Sequence, residues 1–467
     1  MIAFFDEFAA NEQRWRRRNR TYHRLLEAAF RFLVPEGASV LELGSGSGDL
    51  LASLHADRGV GVDVSPRMVE LARSRHPELE FHVGAAEEVV LDETFDYVIL
   101  SDLVPLADDL LAVFENVHAM SHERTRVMIN TYSQLWRPLI RVAELLRLKP
   151  AKPLRNWIGP SDLRNLIDLA DLEPLTTSRR ILIPFAIPLV SRFVNGFVAN
   201  LWPFSHLCVS YWVVARPRPS GRREYTVSVV VPCRNEAGTI DEIVERIPEL
   251  GLGTEIVFVE GHSTDDTRAA IERAIAANPQ RNLTLHVQSG KGKANAVREG
   301  FALARGELLM ILDGDLTVAP EDLPKFYDAV ASGRAEIANG SRLVYDLEPG
   351  SMQFLNIIGN KLFSIIFSYE IGQPIKDTLC GTKVLLRRDY EAIARGRPWF
   401  GDFDPFGDFD LLLGGARLSL KIVDLPVRYG SRSYGSTNIS RVRHGLLLAR
   451  MSLIGFLTLK ARPNVLR

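Results

Sequence analysis

Two groups of residues in this chain have the types and spacing to do chemistry. The first is Glu42-Leu-Gly44-Ser-Gly46-Ser-Gly48. Glycines in such a run let the backbone approach a ligand closely, and a helix starting after it offers free N–H groups. Asp63 closes the apolar run that follows, where an acid can accept both hydroxyls of a ribose. The second group is ordered along the other half: Pro232-Cys-Arg-Asn-Glu236, then Glu260-Gly-His-Ser263, then Asp313-Gly-Asp315. Two carboxylates at i and i+2 share one side of a regular strand. A turn at a strand end can aim both at one cation. Hard oxygens of this kind suit Mg2+ or Mn2+ carrying a diphosphate, whose own oxygens complete the shell. An isolated D-x-D also occurs as a plain turn cap, so the ordered set is the stronger signal.

These residues need strand ends to position them, and the pattern supplies such ends. Apolar runs at 39–43, 59–63 and 95–100 alternate with helical stretches in the first half. Runs at 226–231, 255–259, 283–287 and 308–312 do so in the second. Strand–helix alternation predicts an α/β chain of two Rossmann-like units with mostly parallel sheets. Ala215-Arg-Pro-Arg-Pro-Ser-Gly-Arg-Arg-Glu224 reads as the seam, giving domains at 1–215 and 225–467 with a linker at 216–224. A length of 467 residues fits two such domains. Hydrophobic residues at 46% and charged residues at 24% exclude a disordered or collagen-like chain. A net charge of −1 gives no reason to expect a nucleic-acid partner. Cys208, Cys233 and Cys380 lie far apart and form no C-x-x-C pair, as expected of a reducing compartment without structural zinc. The N-terminal residues place acids before arginines, the reverse of a secretory signal.

The glycine spacing is G-x-G-x-G with Glu42 before it, whereas a dinucleotide site would need G-x-G-x-x-G. Residues 36–215 thus resemble class I S-adenosylmethionine-dependent methyltransferases. The resemblance implies that Glu42 helps position the methionine end, that Gly44, Gly46 and Gly48 cradle the cofactor, and that Asp63 takes the ribose. It places Asp102 on the substrate side. Where the family often has an acid for the adenine amine, this chain has Val83-Gly84-Ala85-Ala86, with Glu87 next. Asp102, His118 and Tyr132 are the candidates for a general base. Methyl transfer is an in-line displacement at a sulfonium carbon, so positioning can supply most of the rate.

Residues 225–440 resemble family 2 glycosyltransferases of the GT-A fold. That resemblance implies that Pro232 and Glu236 flank a nucleotide base and that Glu260 meets the base or ribose. Lys293, in Lys291-Gly-Lys-Ala-Asn-Ala296, would face the donor, and Asp313 and Asp315 would hold the metal, with Asp313 also touching the donor. More locally the half resembles dolichol-phosphate and polyprenyl-phosphate mannosyltransferases, through Gly340-Ser-Arg342, Asp377-Thr-Leu-Cys-Gly381 and Arg432-Ser-Tyr-Gly435-Ser436. In those relatives the arginines corresponding to Arg342 and Arg432 serve phosphate groups. Two positions depart from the pattern: Thr437 follows Ser436 where a lysine is common, and Thr317 stands where some relatives carry a glutamine. Gly407-Asp408-Phe409-Asp410-Leu411 resembles the family's E-D-x-x-L stretch with glycine for glutamate. Asp408 would be the general base there, with Asp410 beside it. A hydroxyl acceptor needs a base because its pKa lies far above 7, whereas a phosphate acceptor is already anionic.

No run reaches eighteen uninterrupted apolar residues. Phe354, Ile358, Leu362 and Ile365 recur at helical spacing, the stretch at 444–460 is similar, and 181–204 is apolar but interrupted by prolines and Arg192. Each could pack in a core or lie on a membrane surface. From Leu425 onward there is no acid, only Arg and Lys, which suits an anionic head group. The expectation is a cytoplasmic protein, peripheral at the cytoplasmic face of a membrane. It would be a bifunctional enzyme that methylates with S-adenosylmethionine and transfers a sugar from a nucleotide-diphosphate donor to a polyprenyl phosphate or a glycan. Two alternatives stay open: a hydroxyl acceptor served by Asp408, and a first half that binds without catalysing.

Overall fold

Short runs of branched apolar residues become the central strands of two seven-stranded sheets. The computed structural model describes residues 1–147, 156–344, 354–401, 407, 409–430, 434 and 441–464, with 354–358 and 441–444 as backbone only. Two compact units result, Met1–Arg218 with Lys460–Arg467, and Pro219–Leu459.

The first sheet is built from β1 (Ser39–Leu43), β2 (Arg58–Asp63), β3 (Glu80–Val83), β4 (Phe95–Ser101), β5 (Ser121–Tyr132), β6 (Leu172–Arg180) and β7 (Ser210–Pro217), in the order β3-β2-β1-β4-β5-β7-β6. β1 to β5 pair in parallel, while β7 runs antiparallel to β5 and β6. Val40, Leu41 and Leu43 are fully buried, as a parallel strand covered on both faces requires. The strand order reverses at β1, and a crevice forms beyond the strand ends at such a point. Glu42 and the glycine run lie there.

The second sheet contains β8 (Val227–Cys233), β9 (Thr254–Glu260), β10 (Asn282–Val287), β11 (Leu308–Ile311), β12 (Ile337–Ser341), β13 (Lys383–Leu386) and β14 (Ile422–Pro426), in the order β10-β9-β8-β11-β13-β12-β14. β13 is antiparallel to β11 and β12. The order reverses between β8 and β11, which brings Cys233 and the residues after it beside Asp313.

Two boundaries differ from the sequence reading. The seam at 216–224 begins inside β7, where Arg216 is buried and bonds Glu173 at 3.0 Å. The end of the chain, assigned above to the second domain, returns to the first unit. There buried Asn464 accepts from Arg180 at 3.3 Å and donates to the Lys460 carbonyl at 3.0 Å.

Candidate active sites

In the first unit, the turn after β1 is shaped by left-handed backbone. Gly44, Gly46 and Gly48 have φ of +75°, +53° and +74°, values that L side chains rarely adopt. A Cβ on Gly48 would stand 2.5 Å from the Phe81 ring. Asp63 braces the turn: one carboxylate oxygen accepts from Gly46 N at 2.9 Å and the other from Ser65 N at 2.9 Å. Glu42 is buried, its Oε2 has no hydrogen-bond partner, and burial lifts its carboxyl to about 8. Glu42, Gly44, Gly46 and Asp63 line a cavity of about 440 Å³, and Gly48 shapes the turn without lining it. A buried acid with one unpartnered oxygen, a cradle that a Cβ would fill and an acid at the next strand end fit a cationic adenosine cofactor. Glu87 also lines the cavity, but one of its oxygens already accepts from Asp108 N at 2.7 Å.

The far wall carries a second constellation. Asp102, at φ +54°, accepts from the Tyr22 hydroxyl at 3.0 Å and from Asn130 at 2.9 Å. Tyr22 stacks on Tyr132 at 6.1 Å, and burial followed by the Asp102 charge pushes both phenols well above their ordinary range. Asp102 and Tyr132 are thus neighbours. His118 lies in the last turn of the helix Leu110–Ala119 and is not among the residues lining the cavity. Tyr22 comes from the helix Arg20–Leu33, and no motif in the sequence points to it.

In the second unit, Glu236, Glu260 and Asp313 converge. Their charges, after burial, hold the Cys233 thiol well above its usual range. Glu236 lies directly over the D-G-D turn, since a Cβ on Gly314 would meet its Oε2 at 2.2 Å. Glu260 is buried and accepts from Ser263 N at 2.5 Å. Pro232 is in register with Val259 of β9. Lys293 opens the helix Lys293–Leu303 and places Nζ 2.5 Å from Asp313. Burial raises the Asp313 carboxyl, but Lys293, Lys383 and Arg342 outweigh it and hold it below the ordinary carboxylate range. Asp315 is buried, and its Oδ1 accepts from Thr317 N at 3.1 Å and Thr317 Oγ1 at 2.8 Å. An ionised Asp313 and the carboxylate of Asp315 are hard oxygen donors of the kind that suit Mg2+ or Mn2+.

Arg342 and Asp410 go elsewhere. The Arg342 guanidinium makes a two-point ion pair with fully buried Asp377, at 2.7 and 2.9 Å, and lies 5.0 Å over the Tyr429 ring. Burial opposes the charge on each, yet the pair lowers Asp377 to about 2 and raises Arg342. Asp410 accepts from Arg397 at 2.9 Å and from Arg298 at 3.4 Å, so its described bonds are structural. Gly407 has φ +82°, and a Cβ there would stand 2.7 Å from the Ala294 Cα. Glutamate, as in E-D-x-x-L, would not fit beside that helix start. Asp408 and Arg432 lie outside the described residues.

Residues 228–393 match the family described as Glycosyl transferase family 2, and residues 14–177 match the one described as Methyltransferase domain. Glycosyltransferase AglJ of Haloferax volcanii is 30% identical over 221 residues, 47% of this chain and 68% of that protein. The chain belongs to glycosyl transferase family 2. A second relative, the dolichol-phosphate mannosyltransferase of Pyrococcus furiosus, is 28% identical over 222 residues, 46% of this chain and 59% of that protein. Of two further Haloferax volcanii glycosyltransferases the chain spans 40% and 53%, so it spans about half the length of several curated relatives. A solved S-adenosylmethionine-dependent methyltransferase from Thermotoga maritima is 19% identical with a TM-score of 0.37, covering 46% of this chain and 99% of that one. By the family matches and the two strand orders, the chain carries a class I methyltransferase domain followed by a GT-A domain of glycosyl transferase family 2.

In the family 2 domain, the sequence reading passed over Lys383. It is fully buried on β13, donates to the Cys380 carbonyl at 2.6 Å and helps keep Asp313 ionised. Asn360, a polar interruption of the apolar spacing at 354–367, donates to Asp377 at 2.8 Å. Asp377→Ala would leave the Arg342 guanidinium buried without its counter-charge. The expected cost is about 3–5 kcal/mol, read from the second unit's transition in urea unfolding. A loss below about 1 kcal/mol would show that Arg342 does not depend on this pair.

Proposed function

We propose that this chain is a bifunctional enzyme. Its first domain uses S-adenosylmethionine, and its second transfers a sugar, with inversion, from a nucleotide-diphosphate donor to a polyprenyl phosphate. The observation that carries the reading is the convergence of Glu236, Glu260 and Asp313 on Cys233 at the sheet's switch point. Glu236 and Glu260 would bind the base and ribose, with Pro232 beside them, and Lys293 would face the diphosphate from its helix start. Asp313 and Asp315 would hold the divalent metal, which supplies charge neutralisation on the leaving diphosphate. In the first domain, Glu42, Gly44, Gly46, Gly48 and Asp63 would hold S-adenosylmethionine, the source of an electrophilic methyl group. The Tyr22–Asp102–Tyr132 cluster would then face the acceptor.

A phosphate acceptor is supported by relatives described as dolichol-phosphate mannosyltransferase and polyprenol monophosphomannose synthase. Peripheral membrane contact is supported by the helix Phe354–Ile371. It turns Asn360 inward to Asp377 and leaves Leu362, Ile365 and Tyr369 exposed. The helix Arg441–Gly455 likewise exposes Leu446 and Leu453. Among the described residues no helix is long and apolar enough to cross a membrane.

The test is to incubate the full chain with a panel of sugar nucleotides and a polyprenyl phosphate, and to mass-analyse the lipid. A glycosylated lipid phosphate is expected, and Asp408→Ala should retain activity within about tenfold because no proton needs removing. Loss of activity in that variant would point to a hydroxyl acceptor instead.

A further inference from the structure

One surface of the methyltransferase unit is built inside out. Between β6 and β7, the segment 181–207 contains no Asp or Glu, buries Asn195 and Asn200, and exposes most of its large apolar side chains. Asn195 is buried: its Oδ1 accepts from Leu182 N and Ile183 N at 2.9 Å each, and its amide donates to the Ile183 carbonyl at 2.9 Å. Ser191 ties the tip, accepting from Ile187 N at 2.7 Å and donating to the Phe185 carbonyl at 2.8 Å. The segment is therefore held in a fixed shape. On its outside, Leu189 is 85% and Trp202 81% exposed, with Phe185 and Phe193 beside them in the chain and also exposed. In water this arrangement wastes the hydrophobic effect twice, since polar groups are desolvated and apolar ones are hydrated.

The helix Arg137–Leu145 extends the same character. Its Leu139, Val142 and Leu145 are exposed, while its single acid, Glu144, turns inward with Oε1 shielded. The Trp136 indole donates to the Leu207 carbonyl at 2.8 Å, which joins the two segments. Arg137, Arg141 and Arg192 are exposed among these apolar residues. Leu139 also lines the cavity that holds Gly44, Asp63 and Asp102 on its other walls.

We propose that this face is a docking surface for a bilayer rich in anionic head groups, and that it sets the mouth of the methyltransferase cavity at head-group level. The occupant is argued from three features. The exposed side chains are Trp, Phe and Leu, the types that enter a membrane interface. The charge among them is positive, complementing anionic lipid at short range. The polar groups that a soluble partner would have to satisfy are already bonded inside the segment. The inference deepens the methyltransferase reading, because a cavity opening there serves an amphiphilic substrate whose polar head reaches Asp102 while its apolar part stays in the bilayer.

The test uses the full chain with phosphatidylcholine vesicles, with and without phosphatidylglycerol. Binding to the anionic vesicles is expected to exceed binding to the neutral ones at least tenfold. Lipids brominated near the head group should quench tryptophan fluorescence, and Trp202→Phe should remove most of that quenching. This local signal does not depend on membrane contacts made by the other domain or on methyl transfer, so it fails or succeeds separately from the methyltransferase reading. Leu189→Ser combined with Phe193→Ser should weaken binding at least fivefold. Quenching unchanged in Trp202→Phe would overturn the proposal. So would light scattering that shows a vesicle-free dimer dissolved by Leu189→Ser, because the face would then be occupied by a second copy.

Discussion

Asp313→Asn is expected to lower sugar transfer about a thousandfold, the scale of losing one preorganised charge partner at a reacting centre. The reason lies in what surrounds the carboxylate. Lys293 Nζ stands 2.5 Å away, and Lys383 and Arg342 add further positive charge. Burial disfavours the anion, yet these cations win, so Asp313 stays ionised below the usual carboxylate range. Asparagine keeps the shape and loses the charge. It can neither balance Lys293 nor help hold a dication against the leaving diphosphate. The pocket has no room to compensate, since Gly381 packs so tightly that a Cβ would meet Asp313 Oδ2 at 2.2 Å. Because the Lys293–Asp313 pair is partly exposed, at 31% and 29%, its loss should change stability little. The lowered pKa keeps Asp313 itself ionised as pH falls through the ordinary carboxylate range. Steady-state kcat/KM across a metal titration, beside a thermal melt, checks both halves. Activity above a tenth of wild type with an unchanged metal midpoint would contradict the assignment.

Asp315 separates from Asp313 in a way the motif alone does not show. Its Oδ1 anchors the turn through Thr317, so it holds the loop as well as carrying the second carboxylate of the motif. That difference marks what was legible in the sequence. Strand runs, the glycine turn and the D-x-D are local, and each was readable because a few neighbouring residues carry the whole signal. The partners that set their chemistry come from far along the chain. Tyr22 reaches Asp102 across eighty positions, and Arg298 and Arg397 converge on Asp410, turning an apparent catalytic acid into an ion-paired one. Lys383 sits on a short antiparallel strand with no distinctive pattern. Periodicity also stops short of direction. The spacing at 354–367 showed an amphipathic helix, but which side faces the protein depends on buried Asp377, and that acid draws Asn360 inward and leaves Leu362 and Ile365 outside. The same limit applies to the segment 181–207, whose apolar run suits core and membrane surface alike until Asn195 is seen to occupy the inside.

The second large effect concerns Glu42, where cofactor binding is expected to release about 0.9 proton at pH 7. Burial lifts its carboxyl to about 8, opposed by a backbone hydrogen bond at Leu51 and by Arg16, and reinforced by Asp63 and Asp49. In the ligand-free protein the group is thus mostly protonated at pH 7. A cofactor carrying a sulfonium and an ammonium favours the carboxylate, so binding expels the proton. Affinity should then rise about tenfold per pH unit up to about pH 8 and flatten above it. Stability runs the other way. The folded pKa lies above the unfolded one, so the native state holds the extra proton. Stability should therefore fall by about 1.4 kcal/mol per unit as pH climbs from the ordinary glutamate range to about 8, and level off beyond. Glu42→Gln removes the titration while keeping the shape. The variant should bind more weakly at pH 8, release no proton, and melt higher than wild type in the ligand-free state at that pH. Calorimetry in two buffers of different ionisation enthalpy counts the proton directly. If wild type and Glu42→Gln release the same number, the buried acid before the glycine turn is not the group that answers the cofactor's charge.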